Sequence, residues 1–513
     1  MFQNVMSAAI SGLSIIPVHV ETDVSDGLPQ FRMVGFVTNQ VREAEDRVRT
    51  ALKNVGFSTP PKRITINFSP ADVLKSGSRF DLPIALGILA ADKRIPQESL
   101  DGVLAVGELS LNGEIAPVTG VLPIAMRAKE EGIKKIIVPA LNAAEGRIVQ
   151  GLDVVGAKSL PEVIEYLQTG ARPKEDEESP APELNNYTVD FSDIRGQRKM
   201  KRCAEVAVAG FHNLMLEGPP GAGKTMIARR IPTILPPLSL EESLEISQIY
   251  SVAGLLKPGR PMMETRPFRA PHHTMSAAAL AGGGSIPHPG ELTLAHRGVL
   301  FLDEMPEFAR GALEILRQPL EDREIVISRV KGSYRFPANF LLIAAMNPCP
   351  CGFFPDMNRC RCSERAITAY KNRVSQALID RMDLFLEVQA VTYEELSGTA
   401  GRQESISSAE IRGHVVEARK MQAARFEGTR LRFNAEIPAS GIDAYCPMEE
   451  GAKALLKRAF NALKLSARGY HRIIRVARTI ADLDGSEVIS PLHVSEAMEY
   501  RPRGFGSTDA GGF

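Results

Sequence analysis

No stretch of about 18 uninterrupted apolar residues occurs in this chain, so no membrane span is predicted. After Met1 no basic segment is followed by an apolar run, so no secretory leader is expected. Charge of one sign is lacking too: 61 Lys and Arg balance 61 Asp and Glu. That excludes a chain-wide basic field for nucleic acid and leaves any such contact to local clusters. Cysteine is scarce, six in 513 residues, which excludes a disulfide scaffold and predicts a reduced, cytoplasmic protein. There is no internal repeat.

What is present is a globular composition, 44% hydrophobic, in a chain too long for a single core. Proline and acidic residues take over at residues 171–186, where apolar periodicity vanishes, so a solvated linker is expected there. Before it, residues 1–170 alternate β-rich runs (Ile15 to Glu21, Arg63 to Phe68, Lys135 to Pro139) with helical ones at 40–55 and 121–131. Residues 187–395 repeat strand, Gly-rich turn and helix, the α/β pattern of a parallel sheet wrapped by helices. Residues 396–502 read as mostly helical, with Ser490 as N-cap and Pro491 opening the last helix. The tail 503–513, rich in Gly and Ser, is expected to be flexible.

The chemistry begins at residues 213–218, a strand that runs into Gly218, Pro219, Pro220, Gly221, Ala222, Gly223, Lys224 and Thr225, followed by a helix. Glycines let backbone N–H groups turn inward around phosphate oxygens at a helix N-terminus whose dipole favours anions. Lys224 would reach the β- and γ-phosphates of ATP, and the Thr225 hydroxyl would ligate Mg²⁺. A second apolar strand delivers Asp303 and Glu304 at its end. Alone, such a strand is as readily a capped turn. Downstream of a phosphate loop, Asp303 suits Mg²⁺ and Glu304 suits activating the attacking water. A third strand ends in Asn347, placed to hold that water or to cap the turn before Pro348. Arg381, flanked by Asp380 and Asp383, is either a locally paired arginine or, in a ring, a finger completing the neighbour's site. Arg468 and Arg475 share a helix face, and Arg468 is the better candidate to contact the γ-phosphate from a lid.

Together the phosphate loop, the run from Ala295 to Glu304, the run from Asn347 to Gly352 and the run from Leu378 to Arg381 resemble the magnesium-chelatase-like AAA+ ATPases, and within them the ComM/YifB family. Strings such as Ser466 to Ile473 and Phe80 to Ala85 extend the likeness over nearly the whole chain. The resemblance implies an AAA+ P-loop core with a helical lid, working as a hexameric motor that drives DNA branch migration in recombination, notably natural transformation. It also implies that the first domain is similar to the proteolytic domain of Lon-type proteases, a ribosomal S5-like α/β fold. Their Ser–Lys dyad is missing here. Asp81 stands where the serine would fall, and Val121, Leu122 and Pro123 follow the turn where the lysine would be, so no peptidase activity is expected. That domain would bind DNA or shape the ring. Lys62 and Arg63, with Lys75 and Arg79, form basic patches that would touch phosphates or simply be solvated.

Residues 323–336 read as a hairpin around a Lys-Gly-Ser turn. Related ring helicases carry such a hairpin in the pore, which makes Arg329 and Lys331 candidate DNA contacts, or else an exposed basic turn. Cys349 and Cys351, with Cys360 and Cys362, put four thiols in one loop, 349–362, and match a closed tetrahedral Zn²⁺ site or a redox-labile loop. Two other readings stay open. One is an AAA+ subunit remodelling a protein partner, as in magnesium chelatase, and the other is a nucleotide-gated scaffold, which an intact Glu304 disfavours.

Overall fold

The computed structural model describes residues 2–174, 188–257, 259–284, 287–329, 332–389 and 406–501. Most of the expected linker, the junction at 390–405, Lys331 and the expected flexible tail lie outside the described residues. Among the described residues no helix is long and apolar enough to cross a membrane.

Alternating apolar positions give the first unit its seven-stranded mixed sheet. Its order is Gln30–Val34, Arg63–Ser69, Ser14–Ser25, Phe2–Ser11, Val103–Ala105, Lys135–Pro139, Asp153–Ala157. The helix Asp81–Ala91 is buried at every position against this sheet. Leu82, Ile84, Leu86, Ile88 and Leu89 each stabilise by about 1.5–3 kcal/mol on burial. Their sum outweighs the cost of taking the Asp81 carboxylate inside, which Arg47 offsets through bonds of 2.7 and 2.9 Å.

The second unit is a five-stranded parallel sheet in the order Phe268–Arg269, Val299–Leu302, Leu341–Met346, Leu214–Glu217, Leu384–Glu387. Its central strands are continuous apolar runs because both faces are covered. The chain leaves Leu214–Glu217 toward one side and returns on the other, so that strand's C-terminal end is the topological switch point where such sheets bind ligands. The helices Ser408–Arg425 and Ala467–Leu483 share one apolar core with the helix Arg198–Gly210 and one face of this sheet. The Pro491 helix is present as expected.

The two units touch. Gly120 N donates to Ser251 O at 2.9 Å, and Ser251 Oγ donates to the buried Glu145 carboxylate at 2.6 Å. The turn at Gly12 lies against Tyr334 and Phe336, where a Cβ would come 3.1 Å from the Tyr334 ring. One expectation fails here. Lys75 is fully buried and donates to the Phe68 and Pro70 carbonyls, and Arg79 is also buried, its guanidinium facing Thr119. Neither can meet a phosphate, because backbone carbonyls of the interior have claimed both cations. Lys62 and Arg63 do remain exposed, Lys62 pairing with Asp26 at 2.9 Å.

Candidate functional site

The strand Leu214–Glu217 ends where Gly218 N donates to Met346 O, which ties the phosphate loop to the neighbouring strand. Gly221 and Gly223 take φ of 77° and 88°, a region that costs a side chain about 1–2 kcal/mol, and this turns the loop's N–H groups inward ahead of the helix Lys224–Ala228. Lys224 is buried and donates to Gly218 O, to Pro219 O at 3.0 Å and to Asn347 Oδ1 at 3.2 Å. Burial pulls its ammonium below the ordinary range, and the nearby Asp303 and Glu304 charges oppose that.

Thr225 Oγ1 donates to Asp303 Oδ2 at 2.8 Å. A hydroxyl beside a carboxylate is an all-oxygen donor set suited to a hard cation, so these residues fit Mg²⁺. Glu304 adopts the left-handed conformation, φ 50°, rare for a residue with a Cβ and concentrated at functional sites. Its backbone N–H donates to Asp303 Oδ1 at 3.0 Å, and its side chain is half exposed. Phosphate loop, Asp303, Glu304 and Asn347 thus gather at the C-terminal edge of three adjacent strands.

Arg381 does not join them. Leu384 pairs with Leu214 and Glu387 with Glu217 in parallel register, and Leu384 N donates to Asn213 O. Arg381 therefore sits at the N-terminal edge, at least about 13 Å of strand away from its own phosphate loop. Its Nη1 donates to Ala377 O at 2.7 Å and its Nη2 lies 2.6 Å from Glu321 Oε1. Arg468 is on this same edge, 3.5 Å from Asp380, with Arg472 donating to Asp380 O nearby. Neither arginine reaches the phosphate loop of its own chain.

The hairpin pairs Glu324–Arg329 with Gly332–Pro337, antiparallel, and buries Ile325, Ile327 and Phe336 at its base. Arg329 is exposed near the tip and donates to Gly284 O at 3.4 Å; Lys331 lies outside the described residues.

The four loop cysteines bring their sulfurs within 4.8 Å of one another. Three separations are 3.3, 3.6 and 3.8 Å. A tetrahedron with Zn–S bonds of about 2.3 Å has edges of about 3.8 Å, so the set fits zinc. Phe354 N donates to Cys349 Sγ at 3.5 Å, an outer contact typical of ligating sulfur. This loop also abuts the phosphate loop: a Cβ on Gly352 would lie 2.7 Å from Pro220 Cδ.

Two groups of interacting residues escaped the sequence reading, one beside Glu304 and one at the opposite edge of the sheet. His273 Nδ1 is 3.5 Å from Glu304 Oε2, with the His272 ring 4.1 Å from that of His273. Two adjacent histidines just beyond the edge strand were the available signal. His296 and Arg297, which lead into the strand Val299–Leu302, both bond Glu245. Asn339 N donates to His296 Nδ1, which leaves Nε2 as the protonated nitrogen facing Glu245. Burial holds His296 below its usual range, while His296 and then Arg297 hold Glu245 down to about 2.

Known proteins place this geometry. The profile of the family described as magnesium chelatase, subunit ChlI, matches residues 190–396. Profiles for subunit ChlI of Mg-chelatase and for the ChlI C-terminal part match 20–142 and 405–501. The chain is 42% identical over 501 residues to the competence protein ComM of Haemophilus influenzae, covering 97% of each. It is 41% identical over 500 residues to YifB of Escherichia coli, covering 97% of this chain and 96% of that one. Lon protease 2 of Bacillus subtilis is 30% identical over 149 residues, which is 28% of this chain and 26% of the protease.

Proposed function

This chain belongs to the ComM/YifB family of magnesium-chelatase-like AAA+ proteins, and from that premise we propose that it is an ATP-driven DNA motor. In this reading identical chains form a ring, hexameric as in the resemblance, and hydrolysis drives branch migration during recombination, with natural transformation as its setting.

The observation that carries the reading is the split of the catalytic groups between two edges of one sheet. Lys224, Thr225, Asp303, Glu304 and Asn347 share one edge, while Arg381 and Arg468 occupy the other. A closed ring of identical chains brings one edge against the other in the next chain. Loop N–H groups and Lys224 then bind the phosphates, and Mg²⁺ held through Thr225 and Asp303 supplies charge neutralisation. Glu304 takes the proton of the attacking water, and Asn347 orients that water. Arg381 of one chain stabilises the charge developing in its neighbour's site, with Arg468 contributing from the same side. The hairpin, with Arg329 exposed near its tip and Lys331 following in the sequence, suits contact with the DNA backbone.

A synthetic Holliday junction incubated with ATP, comparing the parent with Glu304→Gln, tests this. Forked products from the parent alone are expected. DNA-independent ATP turnover with no conversion would move the assignment to remodelling of a protein partner.

A further inference from the structure

The short helix Arg317–Asp322 grips the Arg381 segment at both ends. Arg317 Nη2 donates at 3.1 Å to Ser375 Oγ, on the residue that opens the helix Gln376–Ile379. One turn further along, Glu321 meets Arg381 just beyond that helix's end, at 2.6 Å. The grip leads straight into the hairpin. Arg323 turns the chain at φ 60°, its N–H bonded to Pro319 O, and Ala338 at the hairpin's exit donates to Arg323 O at 2.8 Å. Glu321 is therefore fixed to the root of a lever whose base is packed in the core and whose tip carries Arg329.

The Glu321 side chain is 57% exposed and Arg381 only 16%. A pair with one partner so solvated contributes little to holding a fold together. Its effect on Arg381 is larger in kind, because a carboxylate on a guanidinium occupies donors that any phosphate oxygen would need.

We propose that Glu321 is a positioning residue for ATP hydrolysis: it keeps Arg381 folded along its own chain until displacement of the hairpin by DNA frees the guanidinium for the neighbouring site. This rests on the trans-acting role of Arg381 proposed above. It makes ATP turnover answer to the hairpin through one carboxylate, and by reciprocity makes nucleotide in the neighbouring site bias the hairpin.

The experiment measures ATP turnover of the full chain across protein concentration, with and without a synthetic Holliday junction, for the parent, Glu321→Gln and Arg381→Ala. Glu321→Gln is expected to raise DNA-free turnover about two- to fivefold at low protein concentration, the span available to an exposed ion pair. The stimulation by DNA should shrink by a similar factor, with the thermal midpoint unchanged. Glu321→Ala should act in the same direction. Unchanged or lowered DNA-free turnover in a folded Glu321→Gln, while Arg381→Ala is inactive, would overturn the role of Glu321 alone. A DNA stimulation factor equal to the parent's would overturn the link to the hairpin. Normal turnover in Arg381→Ala would remove the finger itself, and the proposal with it.

Discussion

Asp81 illustrates how a single residue can change what a fold is for. Its carboxylate is fully buried and takes two bonds from Arg47 and one from Leu109 N, and the resemblance to Lon-type proteases implies that it stands where their nucleophile would fall. Asp81→Ser is expected to remove two charge-assisted bonds from the half-buried Arg47, which keeps its bond to Gln40 O, and to lower stability by about 1–3 kcal/mol, read from denaturant unfolding. It should yield no cleavage of a peptide substrate, since none of Val121, Leu122 and Pro123 can act as a base. Glu245 gives a prediction in pH. Its folded pKa, about 2, lies below its ordinary 4.5. The stability it contributes is therefore fully present above about 4.5 and is lost as pH falls from there toward 2. Melting midpoints of the parent and Glu245→Gln should differ near neutrality and converge in that window.

At the scale of elements, the loop from Cys349 to Cys362 joins a metal set to the nucleotide site. Purified protein is expected to carry stoichiometric zinc by elemental analysis, and Cys360→Ser to lose it together with most ATP turnover. Gly352→Ala should do damage without touching a cysteine. Its Cβ would collide with Pro220, and its φ of 85° disfavours any side chain, so the KM for ATP should rise about tenfold while zinc is retained. The phosphate loop was legible in the sequence because strand, glycines and helix are contiguous and each local choice agrees with the next. The hairpin was legible for the same reason. The close approach of Gly352 to Pro220, the grip of Glu321 on Arg381 and the bond from His296 to Glu245 were not, because each joins segments that only the tertiary fold brings together. Lys75 and Arg79 misled for a related reason: residue type marks a cation as surface-prone and carries no sign of the Phe68 and Pro70 carbonyls waiting inside.

Across the whole molecule, the first unit is bolted to the second through Glu145. Its carboxylate accepts from Leu122 N, Asn142 Nδ2 and Ser251 Oγ, so it satisfies donors on both sides of the junction. Glu145→Ala leaves Leu122 N and Ser251 Oγ without this acceptor, at about 1–3 kcal/mol each, while Asn142 Nδ2 keeps its bond to Val118 O. We expect calorimetry of this variant to resolve separate unfolding of the two units where the parent shows closer coupling.

The division of Lys224 and Arg381 between opposite edges of one sheet also reaches into genetics. Under the ring arrangement every working site is a joint product of two chains, and each chain spoils a different partnership when it fails. Lys224→Ala and Arg381→Ala are each expected to be inactive alone. Mixed before assembly, they should regain ATP turnover, because some neighbours pair an intact phosphate loop with an intact finger. A chain carrying both changes should rescue neither. Defective alleles of this gene would then complement one another in a single cell, and a defective copy would poison a healthy one.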